Sequence, residues 1–188
     1  NSAAYTEKPD IGIFMKEWSS LYESKSGERG IFSRAAAQKL VAGLETDRDP
    51  NWEFGCNPCS EIILRSAQFC NLSEVVIRST DTIETLRVKT EMATILGTLQ
   101  SSLTDFKGLR GRWKFNTEEE RLLGVSMTGI MDCSLTNGVD SGLDERLTEL
   151  RAITVKTNRK WAKKFGIEDS KAITCVKPSG TVSQLTDS

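Results

Sequence analysis

Short aliphatic runs set among long stretches of helical periodicity constrain this chain most. Residues 61–66 hold Ile62-Ile-Leu64, residues 73–78 hold Val75-Val-Ile77, and residues 172–176 read Ala-Ile-Thr-Cys-Val. Runs this short, with polar borders, predict buried strands. Around them the apolar residues recur every three or four positions, which predicts helices. Such a mixture places the chain in the α/β class. No repeat, low-complexity stretch or linker interrupts it, so residues 1–188 read as a single segment.

The helices can be placed one by one. Residues 10–23 carry apolar side chains at 11, 14, 15, 18, 21 and 22, and the stretch 24–30 breaks the pattern. A second helix is expected from Ser33 or Arg34 to Leu44, with Ala37, Leu40, Val41 and Leu44 inward. The longest is expected over 79–106, capped by Thr80 or Asp81, with Ile83, Leu86, Ala93, Leu96, Leu99, Leu103 and Phe106 as its stripe. Gly97 marks a close crossing on it. Thr117-Glu-Glu-Glu120 has the pattern of a capping box, and the helix it opens would carry Leu122, Leu123, Val125, Met127 and Ile130. Its glutamates would then sit at the positive end of the helix dipole, as charge placed for stability. Asp144 is expected to cap a helix through Phe165, with Leu147, Leu150, Thr154, Trp161 and Phe165 inward and Gly166 ending it. A loop over 137–142 and a turn at Lys177-Pro-Ser-Gly-Thr181 complete the reading.

Composition excludes several functions. The 25 basic and 26 acidic residues nearly cancel, which gives no field for nucleic acid or a membrane surface. No apolar run approaches the roughly 18 residues that span a bilayer. Five cysteines, an odd number, suit free thiols in a reducing cytoplasm. There is no histidine, so this chain supplies no Ser-His-Asp triad, no Cys-His pair and no His-ligated metal. Acid–base work falls to Glu, Asp, Lys, Tyr or Cys. The chain opens on Asn1, without methionine, and reads as a segment incomplete at both ends.

Asn57-Pro-Cys-Ser-Glu61 is the stretch richest in chemistry. In an extended segment residues i−2, i and i+2 share a face, which would aim Asn57, Cys59 and Glu61 into one pocket. Pro58 stiffens the approach to Cys59. Cys56-x-x-Cys59 also has the spacing of a redox pair or of half a zinc site, although zinc would need two further ligands. Cysteines without chemistry remain a reading at this point. Cys133 and Cys175, beside apolar stretches, read as core-filling thiols. Lys177-Pro-Ser-Gly-Thr181 follows a strand and could bind phosphate through backbone N–H groups and the Ser179 and Thr181 hydroxyls, or form an ordinary turn. Gly27-Glu-Arg-Gly30 reads as a solvent-facing turn.

Three separated motifs resemble one family. Asn57-Pro-Cys-Ser-Glu-Ile-Ile-Leu-Arg-Ser-Ala-Gln-Phe-Cys-Asn-Leu-Ser-Glu74 resembles the active-site stretch of ribonucleotide reductases, above all the adenosylcobalamin-dependent (class II) ribonucleoside-triphosphate reductases. Glu118-Glu-Glu-Arg-Leu-Leu-Gly-Val-Ser-Met-Thr-Gly-Ile-Met131 and Cys175-Val-Lys-Pro-Ser-Gly-Thr-Val-Ser-Gln-Leu185 resemble the same family, and Gly27-Glu-Arg-Gly-Ile-Phe32 fits it. The resemblance implies part of a ten-stranded α/β barrel with a central finger loop carrying the catalytic cysteine. It implies Cys59 as the thiyl radical that takes the 3′ hydrogen of the ribose, and Glu61 as the base at the 3′-hydroxyl. Asn57 becomes the amide that orients substrate, and Cys70 one half of the reducing dithiol. Ser179, Gly180 and Thr181 become the loop that binds substrate phosphates. It further implies adenosylcobalamin as cofactor and a ribonucleoside triphosphate as substrate. Thioredoxin or a similar dithiol would be the reductant and deoxynucleotides the effectors, and the remaining segments of the same enzyme would complete it. No residue is expected to bind metal, and no nucleic acid or membrane partner is expected. Cys56 departs from the family pattern, and the partner of Cys70 has no counterpart before residue 56. A metal-subunit-dependent (class I) diphosphate reductase and a non-catalytic reductase-like module are the alternatives.

Overall fold

A computed structural model describes residues 2–27, 30–44, 46–139 and 141–188. Glu28 and Arg29 of the expected glycine turn, and Asp140 of the expected 137–142 loop, lie outside the described residues. The chain divides into two compact units, residues 1–66 and 67–188.

The first unit begins with strand β1 (Ser2–Tyr5), helix α1 (Ile11–Ser24) and strand β2 (Gly30–Ser33). β1 and β2 pair in parallel from Ser2↔Gly30 to Tyr5↔Ser33, so α1 is their crossover. Asp10 caps α1 by accepting from the Gly12 N–H at 2.8 Å, and Lys25 ends it in the left-handed region. The helix follows its apolar spacing, yet none of its residues is buried, and Trp18 and Tyr22 are 55% and 81% exposed. Ser33 caps helix α2 (Arg34–Ala42) through the Ala36 N–H, and Gly43 stops the helix before the expected Leu44. Ala37 and Val41 meet Phe54 in a small core flanked by Phe32 and Ile63. Leu40, expected inward, faces solvent. Arginines tie the long connection after α2. Arg34 Nε donates to the Phe54 carbonyl at 2.8 Å, Arg48 Nη2 donates to the Ile63 carbonyl at 2.6 Å, and Arg65 lies over the Trp52 ring. The expected strand over 61–66 shrinks to β4 (Ile63–Leu64), which pairs antiparallel with β3 (Gly55–Cys56).

The second unit is a layered α/β body. Strand β5 (Asn71–Val76) and strand β6 (Leu123–Thr128) pair in parallel, Asn71↔Leu123 through Val76↔Thr128. The strand expected over 172–176 is reduced to a parallel bridge between residue 174 and Val125, with backbone hydrogen bonds from the Leu123 and Val125 N–H groups to the Ala172 and Ile173 carbonyls and from the Cys175 N–H to the Val125 carbonyl. Helix α3 (Ile83–Gln100) packs on these strands and against helix α5 (Leu143–Phe165). The core is Val75, Ile77, Leu86, Ala93, Val125, Cys133 and Leu150. Cys133 is thus the core thiol expected of it, whereas Cys175 is half-buried.

β6 corrects the expected helix after Thr117. Thr117-Glu-Glu-Glu120 forms the last turn of helix α4 (Gly111–Glu120), and Arg121, at φ 42°, ends it. The next residues form a strand covered almost throughout. A strand covered on both faces loses polar alternation and reads as a continuous apolar run, which mimics a helix in sequence. The glutamates therefore stand at the negative end of a dipole, and specific donors hold two of them. Gln68 Nε2 donates to buried Glu120 at 2.5 Å, and Thr104 Oγ1 donates to Glu118 at 2.6 Å.

α3 is shorter than the expected 79–106. Thr82, not Thr80 or Asp81, is its cap, in a reciprocal box with Thr85. Its buried face is Leu86, Thr90, Ala93, Thr94, Gly97 and Thr98, while Leu96 and Leu99 face solvent and Leu103 lies beyond its end. Small residues let α5 approach closely. The hydroxyls of Thr94 and Thr98 return to carbonyls four residues back at 2.7 Å, and Asn158 of α5 donates to Thr98 Oγ1 at 3.0 Å. A side chain at Gly97 would meet Ser73 Oγ at 3.4 Å and Leu123 at 3.6 Å, so this glycine does mark a close crossing. α5 starts at Leu143 with Gly142 before it and no side-chain cap, so Asp144 lies inside the helix. Gly166 ends it at φ 67°. Leu150 and Thr154 of its expected stripe are buried, and Leu147 is exposed. After an irregular stretch at 177–180 comes a short helix, α6 (Thr181–Thr186). Three two-stranded sheets are described, and no closed barrel is formed among them.

Candidate active site

The Cys59 stretch is a hairpin tip. β3 and β4 bring Cys56 opposite Ile63, and six residues join them. The Ser60 N–H donates to the Asn57 carbonyl at 2.9 Å, which closes a β-turn with Pro58 at its second position and Cys59 at its third. Proline suits that position because its fixed φ is the one the turn requires. Ser60 then takes φ 63°, which reverses the chain into Glu61. The tip is therefore not the extended segment expected from residue alternation. Asn57 and Cys59 lie on a turn, and Glu61 follows it, rather than all three sharing a strand face.

Asn57 fastens both sides of this tip. Its N–H donates to the Ile62 carbonyl at 3.4 Å, and its side-chain Oδ1 accepts from the Ile62 N–H at 3.0 Å. Pro58 is tolerated here because the turn's hydrogen bonds use the N–H groups of Asn57, Ser60 and Ile62. Cys59 is exposed, whereas Glu61 is half-buried with its Oε2 withdrawn from solvent. Cys56 Sγ lies 3.4 Å from Ser60 Oγ. Cys56, Cys59 and Cys133 are free thiols. Sequence reasoning missed Ser60 and the Ile62 backbone as parts of the tip. The signal was the proline at the second position of a four-residue turn.

The remaining candidates belong to the second unit. Cys70 is half-buried and directly precedes β5. Ser179, Gly180 and Thr181 lead into α6, where Ser183 Oγ donates to the Ser179 carbonyl at 3.1 Å and to the Gly180 carbonyl at 2.7 Å. Ser179 Oγ is closed off from solvent and has no hydrogen-bond partner among the described residues. Such a hydroxyl is costly unless something accepts or donates to it. Among the described residues no three Cys, Asp or Glu side chains cluster as metal ligands, and no helix is long and apolar enough to cross a membrane.

No protein-family model matches the chain. Over 98% of its length it superposes on a third (33%) of a crystal structure of a B12-dependent (class II) ribonucleotide reductase, with a TM-score of 0.62 and 20% sequence identity. The chain shares the fold of that third of the reductase. Curated relatives agree. The chain is 29% identical to the adenosylcobalamin-dependent ribonucleoside-triphosphate reductase of Lacticaseibacillus paracasei over 191 residues, 86% of this chain and 25% of that reductase. It is equally similar, 29% over 193 residues, to the reductase of the same name from Lactobacillus leichmannii. The Lactobacillus acidophilus reductase is 27% identical. The chain thus spans about a quarter of the length of the reductases it matches.

Proposed function

We propose that this chain is a segment of the catalytic barrel of an adenosylcobalamin-dependent ribonucleoside-triphosphate reductase, and that both of its units belong to that barrel. The observation that supports this most is the hairpin tip, where an exposed free thiol stands on a hydrogen-bonded turn between an amide and a carboxylate. It occurs in a chain similar over 86% of its length to reductases of that name.

Each residue has a role in this reading. Cys59, as a thiyl radical, takes the 3′ hydrogen of the ribose and returns it at the end of the cycle. Glu61 accepts the 3′-hydroxyl proton, which helps the 2′-hydroxyl leave as water. Asn57 orients the substrate with its amide nitrogen, because its oxygen already accepts from the Ile62 N–H. Cys70 supplies one of the two reducing thiols. Ser179, Gly180 and Thr181 receive the substrate phosphates, and the partnerless Ser179 Oγ gives that loop a donor to spend on them. When bound, adenosylcobalamin supplies the radical chemistry that Cys59 relays. The exposed tip thiol fits what such a cofactor acts on, while no residue of this chain is assigned to hold the corrin ring.

The whole enzyme would work in the cytoplasm. It would draw electrons from thioredoxin or a similar dithiol, and respond to deoxynucleotide effectors bound by segments outside this chain. The test is Cys59→Ser in the intact reductase. Nucleotide binding is expected to persist while reduction stops. Retained turnover would overturn the assignment, and turnover without added adenosylcobalamin would overturn the cofactor.

A further inference from the structure

The hairpin tip holds a second thiol that the chemistry above does not use. Cys56 closes β3, and Cys59 is the third residue of the turn that follows. The Cys56 side chain reaches across that turn, with Sγ 3.4 Å from the hydroxyl of Ser60, the residue next to Cys59. The bond from the Ser60 N–H to the Asn57 carbonyl reverses the chain within this stretch and brings Ser60, the neighbour of Cys59, back beside Cys56. The ends of that turn are Asn57 and Ser60, so the two cysteines flank or occupy it in a Cys-x-x-Cys spacing, the spacing of a redox pair. Both sulfurs are free, with Cys59 exposed and Cys56 half-buried.

We propose that Cys56 and Cys59 form a reversible disulfide, a thiol-modification site that withholds Cys59 from radical chemistry under oxidising conditions. The oxidant is a small-molecule disulfide. The Cys59 thiolate attacks one of its sulfurs, forming a mixed disulfide and releasing one thiol. The Cys56 thiolate then attacks the Cys59 sulfur, forming the protein disulfide and releasing the second thiol. Two protein thiols lose two electrons and two protons, and the small disulfide gains both as two thiols. A dithiol reductant reverses the exchange. The consequence for catalysis rests on the reading of Cys59 as the radical site, whereas the disulfide itself does not.

The experiment treats the intact reductase with oxidised glutathione, alkylates the remaining thiols and weighs the peptide that carries residues 56–59. The expected peptide is unalkylated, free of glutathione and lighter by two hydrogens. Turnover falls to background and returns with dithiothreitol. In Cys56→Ser the peptide is expected to carry glutathione on Cys59, with turnover of the reduced enzyme unchanged. The inference is overturned if the unaltered protein also accumulates glutathione on Cys59, or if Cys59 alkylates equally in both proteins. If the link forms and turnover is undiminished, the role of Cys59 fails while the disulfide stands. If no link forms and Cys59→Ser is inactive, the role stands and the disulfide fails.

Discussion

The two units hold themselves together differently. The second has a layered core in which α3 lies on β5 and β6 and against α5. The first has three core side chains, and its long connection is fastened by arginine hydrogen bonds to carbonyls. The proposed radical thiol sits on the thinly cored unit. Its geometry comes from hydrogen bonds confined to residues 57–62, not from apolar packing. Chemistry at Cys59 should therefore be sensitive to local polar changes, and global stability to packing changes in the second unit.

The largest expected effect is Cys59→Ser in the intact reductase, which should lower turnover by at least about 10³-fold without changing stability measured by denaturant melting. A stability loss comparable to that of a core deletion would erase the contrast. Next come two glycines. Gly129 follows β6 at φ 72°, and a Cβ there would lie 2.4 Å from the Ile77 carbonyl oxygen. Gly55 has no atom within 4 Å of its Cβ position. Gly129→Ala should cost about 3 kcal/mol or more and Gly55→Ala less than about 1 kcal/mol, both read from urea melts of the intact protein. Equal costs would break the comparison. Asn57→Ala removes the acceptor for the Ile62 N–H and should cost about 1 kcal/mol. Its sharper mark should be a lower kcat, since the turn carrying Cys59 loosens.

The smallest effect is a pH dependence in the second unit. Burial pushes the Asp81 carboxyl up. Hydrogen bonds from Lys89, Thr85 and the Arg78 N–H, with the Lys89 charge, outweigh this and hold it below the ordinary aspartate range. A carboxyl depressed in the folded state stabilises above its unfolded pKa and loses that contribution as pH falls through the folded pKa. Asp81→Asn should thus cost about 1 kcal/mol at neutral pH, with the two proteins converging in acid. A gap that does not narrow there would exclude the carboxylate as its source.

The residue pattern revealed some parts and hid others, for physical reasons. Ser33 and Gly166 were legible as helix ends because capping is a local matter. β6 was hidden because burial on both faces removes the alternation that marks a strand. The inward face of α3 was half-legible, because Leu86 and Ala93 lie on it as expected while Thr90, Thr94, Gly97 and Thr98, not further leucines, make the rest. In the tip, the residue types at 57, 59 and 61 were legible while their arrangement was not. The turn depends on a side-chain bond from Asn57 to a residue five positions on, which no alternation rule anticipates.

The outer face of α3 has a practical consequence. Val88, Met92, Leu96 and Leu99 stand in water along one side of a helix, at exposures of 60, 55, 61 and 46%. Such a strip makes protein concentration an experimental variable for this chain in isolation. Light scattering should climb as it is concentrated, and a dye such as anilinonaphthalene sulfonate should brighten against it even without denaturant.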